Sequence, residues 1–165
     1  MISPWACRLQ VLAGADVIQI FDSWVGSLGL EDYRDYAFEA SKRLVRAVQQ
    51  MGVPVIYFGV ETAGLLTQMA ATGADVVGLD WRQPLDVGWR EVGPSHAVQG
   101  NLDPITLFAP IEVIELRVRE ILRAANGRPG HIFNLGHGIV PQTPVENVQA
   151  VVRMVREFRL ESQNA

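Results

Sequence analysis

Three histidines, one cysteine and a scatter of carboxylates are the side chains with which this sequence could do acid–base, nucleophilic or metal chemistry. His137 stands between two glycines in NLGHGIVPQTPVENV, residues 134–148, just before a helix start. An imidazole on so bare a backbone either offers a ligand a hydrogen bond or fills a tight strand-to-helix connection, the glycines supplying backbone freedom. Ser23, in FDSW, lacks the G-x-S-x-G turn that exposes a hydrolase nucleophile. It is left as a hydrogen-bond donor to a ligand or as a cap. Asp22, Asp80 and Asp103 together have the chemistry of an octahedral Mg²⁺ site, although Asp103-Pro104 reads first as a helix cap with a first-turn proline. Glu61 has the chemistry of a general base. Cys7 alone can form neither an intrachain disulfide nor a thiolate zinc site, which takes two or more sulfurs.

Those residues need elements to position them. The runs DVIQIFD (16–22), VPVIYFG (53–59), DVVGLDW (75–81), AVQGNL (97–102) and HIFNLG (131–136) are short and mostly apolar. They read as strands buried on both faces. Between them, residues 30–52, 62–73, 111–127 and 144–158 carry helical periodicity, with Gly52, Gly73 and Asn126-Gly127 as stops. Thr143, Pro144 and Glu146 fit a capping box with a first-turn proline. Ser3-Pro4 opens a short first helix that ends at Gly14. Strands alternating with helices predict an α/β protein with a parallel sheet.

Two architectures accommodate that pattern: an open doubly wound five-stranded sheet, or part of a (β/α)₈ barrel, which takes about 250 residues when complete. Pattern alone favours the open sheet. In both, ligands bind at the carboxyl ends of the strands. Ser23, Glu61, Asp80, Asp103 and His137 follow strands and fall on that rim, whereas His96 and His131 precede theirs. Trp24, Trp81 and Phe108 read as pocket wall or core, and Arg43, Arg46, Arg117, Arg119, Arg123, Arg153 and Arg156 as solvated helix faces.

The 165 residues suffice for one domain with a real core. A net charge of −4 argues against non-specific nucleic-acid binding. No apolar run approaches the ~18–20 residues of a membrane span. The first residues also lack a signal-peptide pattern, so the expected compartment is the cytoplasm.

Four of the strand ends resemble motifs of the uroporphyrinogen decarboxylases: IQIFDSW, VVGLDW, GNLDP and NLGHGIVPQTPVENV. They stand in that family's order and at similar spacing, over roughly residues 14–158. The resemblance implies a (β/α)₈ barrel, usually a homodimer, working without metal or organic cofactor. It implies removal of the four acetate carboxyls of uroporphyrinogen III to give coproporphyrinogen III, in heme and chlorophyll biosynthesis. Ser23 matches the family serine that contacts the substrate, and His137 the histidine that binds it. On this reading the flanking glycines let the backbone turn sharply under a ligand carboxylate.

The family's arginine-rich segment, essential aspartate and substrate-contacting tyrosine have no counterpart here, so no catalytic residue is assigned. The expectation is a partial TIM barrel of about five parallel βα units. Residues 1–165 would then form a single domain, the C-terminal portion of a decarboxylase without its N-terminal half. A porphyrinogen is the expected partner, and such a chain alone should bind and decarboxylate it poorly or not at all.

Two rival readings stay open. Corrinoid- or thiol-directed methyltransferases share the superfamily barrel and hold zinc with a histidine and cysteines. Here His137 stands where they tend to carry a cysteine, and Cys7 lies in the first helix. The other reading is non-enzymatic: an open binding module, or a half-barrel that exists only in association. A partial barrel leaves two strand edges and an apolar inner face uncovered, so homo-oligomers or association through those edges are expected.

Overall fold

Five parallel strands lie side by side in chain order: β1 (Ile18–Asp22), β2 (Val55–Gly59), β3 (Val76–Gly78), β4 (Ala97–Leu102) and β5 (His131–Leu135). The computed structural model describes residues 4–159. Helices occupy the connections: α1 (Pro4–Leu12), α2 (Leu30–Asp32), α3 (Phe38–Gln49), α4 (Leu66–Ala71), α5 (Leu85–Val92), α6 (Ile111–Ala125) and α7 (Val145–Glu157). A π-helical turn, Tyr33–Ala37, joins α2 to α3. Ser3, expected to open the first helix, lies outside the described residues.

The strand order decides between the two architectures. A doubly wound sheet reverses direction at a switch point and carries helices on both faces. Here each strand is added beside the last without reversal, which is barrel topology. The open doubly wound alternative is therefore wrong. Among the described residues β1 and β5 do not pair, so the sheet is an unclosed arc.

Side-chain alternation along the strands gives the arc two unlike faces. Ile18, Ile20, Val55, Tyr57, Val77 and Val98 pack in the main core with α1, α3, α4 and α5. A second cluster, Leu102, Leu107, Ile114, Val118 and Val151, seals α6 and α7 onto the end of the sheet. The other face carries Gln19, Phe21, Ile56, Phe58 and Gln99 in rows set by the parallel register. Gln99 Nε2 donates to Gln19 Oε1 across 3.1 Å, although two strands lie between theirs. On a flat sheet those backbones would stand about 14 Å apart. The face is concave.

Several local expectations change. α5 lies in a stretch for which no helix was expected. Thr143 does not cap α7: Pro144 occupies the cap position without a side-chain bond, and the buried Thr143 Oγ1 has no partner. Asp103 does cap, its Oδ1 accepting from Ile105 N–H at 2.9 Å ahead of the turn Pro104–Phe108. Asn126 ends α6 in the left-handed region. Among the described residues no helix is long and apolar enough to cross a membrane.

Candidate functional site

The carboxyl ends of the strands form the rim on which the candidate residues were expected. β1 runs into Ser23, Trp24 and a 3₁₀ turn, Val25–Ser27. Gly26 lies so close to the carbonyls of Val60 and Glu61 that any side chain there would collide with backbone. The turn is thereby seated on the end of β2. Ser23, Trp24, Ser27, Val60, Glu61 and His137 line one depression of about 260 Å³. Ser23 and His137, far apart in the chain, thus stand in one site.

Packing carries His137 there. A Cβ on Gly136 would lie 2.5 Å from Trp81 N and 3.0 Å from the Asp80 carbonyl carbon, so only glycine lets the loop after β5 lie against the end of β3. This corrects the expected role of the glycine pair. Neither Gly136 nor Gly138 has a positive φ, and Gly138 has open space around it. The His137 ring meets Phe58 edge-on at 6.5 Å and Trp81 at 6.1 Å. Phe21 continues the row of rings, 5.9 Å from Phe58. The imidazole nitrogens and the Ser23 hydroxyl make no hydrogen bond to other described residues, which leaves both groups available to a ligand.

The three aspartates do not converge. Asp22 faces the helix side, where its Oδ2 accepts from Tyr57 O–H at 3.0 Å. That phenol also lies 3.0 Å from Ser41 Oγ and 3.4 Å from Tyr33 O–H. Burial holds both tyrosines above the ordinary phenol range. Asp103 is occupied as a cap. Asp80 accepts from Glu61 N–H at 2.6 Å, from Arg82 N–H at 2.9 Å and from Arg82 Nη1 at 3.1 Å. Among the described residues no three His, Cys, Asp or Glu side chains are placed to hold a metal ion. The Mg²⁺ grouping therefore fails on geometry. Cys7 is buried in the core of α1, which removes the thiolate that the zinc methyltransferase reading needs.

Sequence reasoning missed Arg82. Its guanidinium lies 4.1 Å from the centre of the Trp81 ring, with Nη2 3.1 Å from Glu61 Oε1. Asn101 Nδ2 donates to the carbonyls of Asp80 and Gln83, at 2.8 and 2.7 Å, and fixes the same loop. The available signal was the tandem Trp-Arg directly after a strand-end aspartate. Trp24, read as pocket wall or core, is 84% exposed and projects at the mouth. A second groove of about 850 Å³ runs along the free edge of β1, past Phe21, Asp22, Ser23, Trp24, Tyr36 and Arg43. It meets the first depression at Ser23 and Trp24.

Comparison with known proteins bears on the family and the fold. The family model described as uroporphyrinogen decarboxylase (URO-D) matches residues 6–158. A uroporphyrinogen decarboxylase from Solibacter usitatus (strain Ellin6076) is 51% identical over 159 residues, covering 96% of this chain and 46% of that protein. One from Koribacter versatilis (strain Ellin345) is 57% identical over 150 residues, covering 90% and 43%. The chain thus spans less than half the length of these curated relatives. Among solved structures, a methyltransferase from Methanosarcina mazei superposes with a TM-score of 0.80 at 24% identity, over 92% of this chain and 44% of that one. At that identity the likeness concerns the fold alone.

Proposed function

The chain belongs to the uroporphyrinogen decarboxylase family, and from that premise we propose that it supplies the Ser23–His137 wall of a decarboxylase cleft. The substrate of this reading is uroporphyrinogen III, whose four acetate arms lose CO₂ to give coproporphyrinogen III in porphyrin biosynthesis. One observation supports it above the others: Ser23 and His137 line a single depression on the carboxyl rim with their polar atoms unpartnered. An imidazole N–H and a serine O–H lining one depression suit a substrate carboxylate, since hydrogen bonds to an ionised acceptor are the stronger kind. The ring row Phe21, Phe58 and Trp81 offers an apolar floor beside them.

Loss of CO₂ from an acetate arm leaves an electron pair that needs a sink. A pyrrole protonated next to the arm provides one, and a carboxylate close to the ring nitrogens would stabilise that cation. Of the rim carboxylates, Asp22, Asp80 and Asp103 are held by donors within the fold, and Glu61 is paired with Arg82. The chain on this reading binds and orients, and the acid–base groups lie elsewhere in the family barrel. Residues 1–165 make up the C-terminal part of that barrel as a single domain. The setting is cytoplasmic and cofactor-free, with self-association through the open edges.

The test is turnover of uroporphyrinogen III by the purified chain, followed by product chromatography. Turnover at least ~100-fold below that of a full-length relative is expected, since preorganised charge stabilisation is commonly worth that much or more. Turnover equal to the relative's would show that this chain holds the whole catalytic apparatus.

A further inference from the structure

The charge cluster beside His137 does more than brace a loop. We infer that Arg82, which lines a separate groove with Trp81 and Asn101 and meets this pocket at Glu61, is a carboxylate-binding residue at the pocket's edge, and that Glu61 holds its place in the empty site, to be displaced by a carboxylate of an incoming organic polyanion. The inference rests on the ligand cleft proposed above.

The two acids on Arg82 are unequal. The Asp80 side chain is 5% exposed and gathers three donors: Glu61 N–H, Arg82 N–H and Arg82 Nη1. It is a fixed anchor. The Glu61 side chain is 58% exposed, and its carboxylate reaches Arg82 Nη2 alone, at 3.1 Å. An ion pair so open to water is weak and screened by salt, so exchanging its acid for another costs little. The guanidinium that remains is already oriented. Trp81 lies under its plane, 4.1 Å from the ring centre, and Asp80 fixes one of its nitrogens. A rigid fork loses little freedom when it closes on a second carboxylate.

Position supports the exchange. Glu61 lines the same depression as Ser23 and His137, so a group that displaced it would enter that pocket. His137 meets the edge of the same Trp81 ring on which Arg82 stacks. Two groups suited to anions therefore flank one indole. Glu61 also adopts φ +61°, a left-handed conformation unfavourable for a side chain of its kind. Asp80 helps to hold it there by accepting its N–H. An exposed ion pair is a poor return for that backbone cost, whereas a placeholder at a binding site is the kind of role for which such strain persists.

Coproporphyrin III, a fluorescent tetracarboxylate, is a suitable probe, titrated at low ionic strength against the full chain. Glu61→Gln should tighten binding about threefold to tenfold, and Arg82→Gln should weaken it about tenfold, as fits gain or loss of one charge-assisted carboxylate contact. The double variant should bind like Arg82→Gln, because Glu61 acts through Arg82. Arg82→Lys, which keeps the charge without the fork, should fall between, and it replaces Arg82→Gln if thermal melting shows the latter unfolded. If Glu61→Gln binds no better than the natural chain while His137→Asn still weakens binding, the placeholder is overturned and the cleft stands. A double variant that keeps the full Glu61→Gln gain would mean simple through-space repulsion and would also overturn it. If His137→Asn and Ser23→Ala leave affinity unchanged while Arg82→Gln lowers it, the cleft reading fails and the Arg82 site remains. No binding by any form overturns both.

Discussion

Burial shifts the pKa of His131 downward and those of Tyr33 and Tyr57 upward, so these groups bear on stability from opposite ends of the pH range. The His131 imidazole packs against Trp89 and lies 2.8 Å from the Gly100 carbonyl oxygen, so Nε2 must carry the proton. Burial pushes its pKa down, and the bond to Gly100 opposes that shift only in part. A group whose folded pKa is depressed contributes stability above its unfolded value, about 6.5, and loses it as pH falls through the folded value. Tyr33 and Tyr57 are shifted upward by burial. Their contribution is complete below about pH 10 and fades as pH rises beyond it. Thermal unfolding followed by circular dichroism should therefore show the midpoint falling as pH drops below about 6.5. His131→Gln keeps a donor for Gly100 and should flatten that acid limb while leaving the neutral midpoint nearly unchanged. An acid limb identical in the variant would assign it to other groups. The sequence placed His131 on the rim opposite the candidate site, but it carried no sign of this role. Trp89 and Gly100 become its neighbours only through α5 and β4.

At the scale of elements, the loop from β5 to α7 shows where local reading stops. NLGHGIVP presents two glycines symmetrically around His137, and local sequence cannot tell them apart. Their neighbours can. Gly136 faces the backbone of Asp80 and Trp81, which cannot step aside, whereas Gly138 faces open space. Gly136→Ala should cost about 1–3 kcal/mol, as overpacking generally does, and should weaken porphyrin binding by lifting His137 off the Trp81 ring. Gly138→Ala should lie within about 0.5 kcal/mol of neutral, the usual range for an uncrowded surface change. Urea unfolding of the two variants measures the difference, and equal losses would contradict the assigned packing. The strand ends were legible because short β-rich runs ahead of turns are a local signal. Helix α5 was not, because Leu85–Val92 is short and holds Gly88, a poor helix former that lies against Leu79. Thr143 was misread for a related reason: the capping-box pattern is local, but whether the hydroxyl reaches a backbone N–H depends on how the chain enters α7.

At the scale of the whole molecule, the strand order carries information that periodicity does not. Alternating strands and helices predict a parallel sheet, yet the order of strands depends on which edges meet, so the sequence pattern alone favoured a doubly wound sheet over the barrel arc that forms. The monotonic order and the Gln19–Gln99 contact show an arc curling toward closure. Such an arc uncovers what a closed barrel hides. Phe21 on β1 is 58% exposed and Ile132 on β5 is 43% exposed. Their register places both in the row that includes Phe58 and Gln99 on the concave face. Apolar side chains beside unpaired strand edges favour association, because two arcs that meet bury ring and aliphatic surface and satisfy edge N–H and C=O groups together. Light scattering of the purified chain should accordingly give a mass that rises with concentration. The paired substitution Phe21→Ser and Ile132→Thr should shift that rise to higher concentration and leave the helix-side core untouched, since neither residue belongs to it. A mass fixed at the monomer value across the range would mean that the concave face stays closed to other copies.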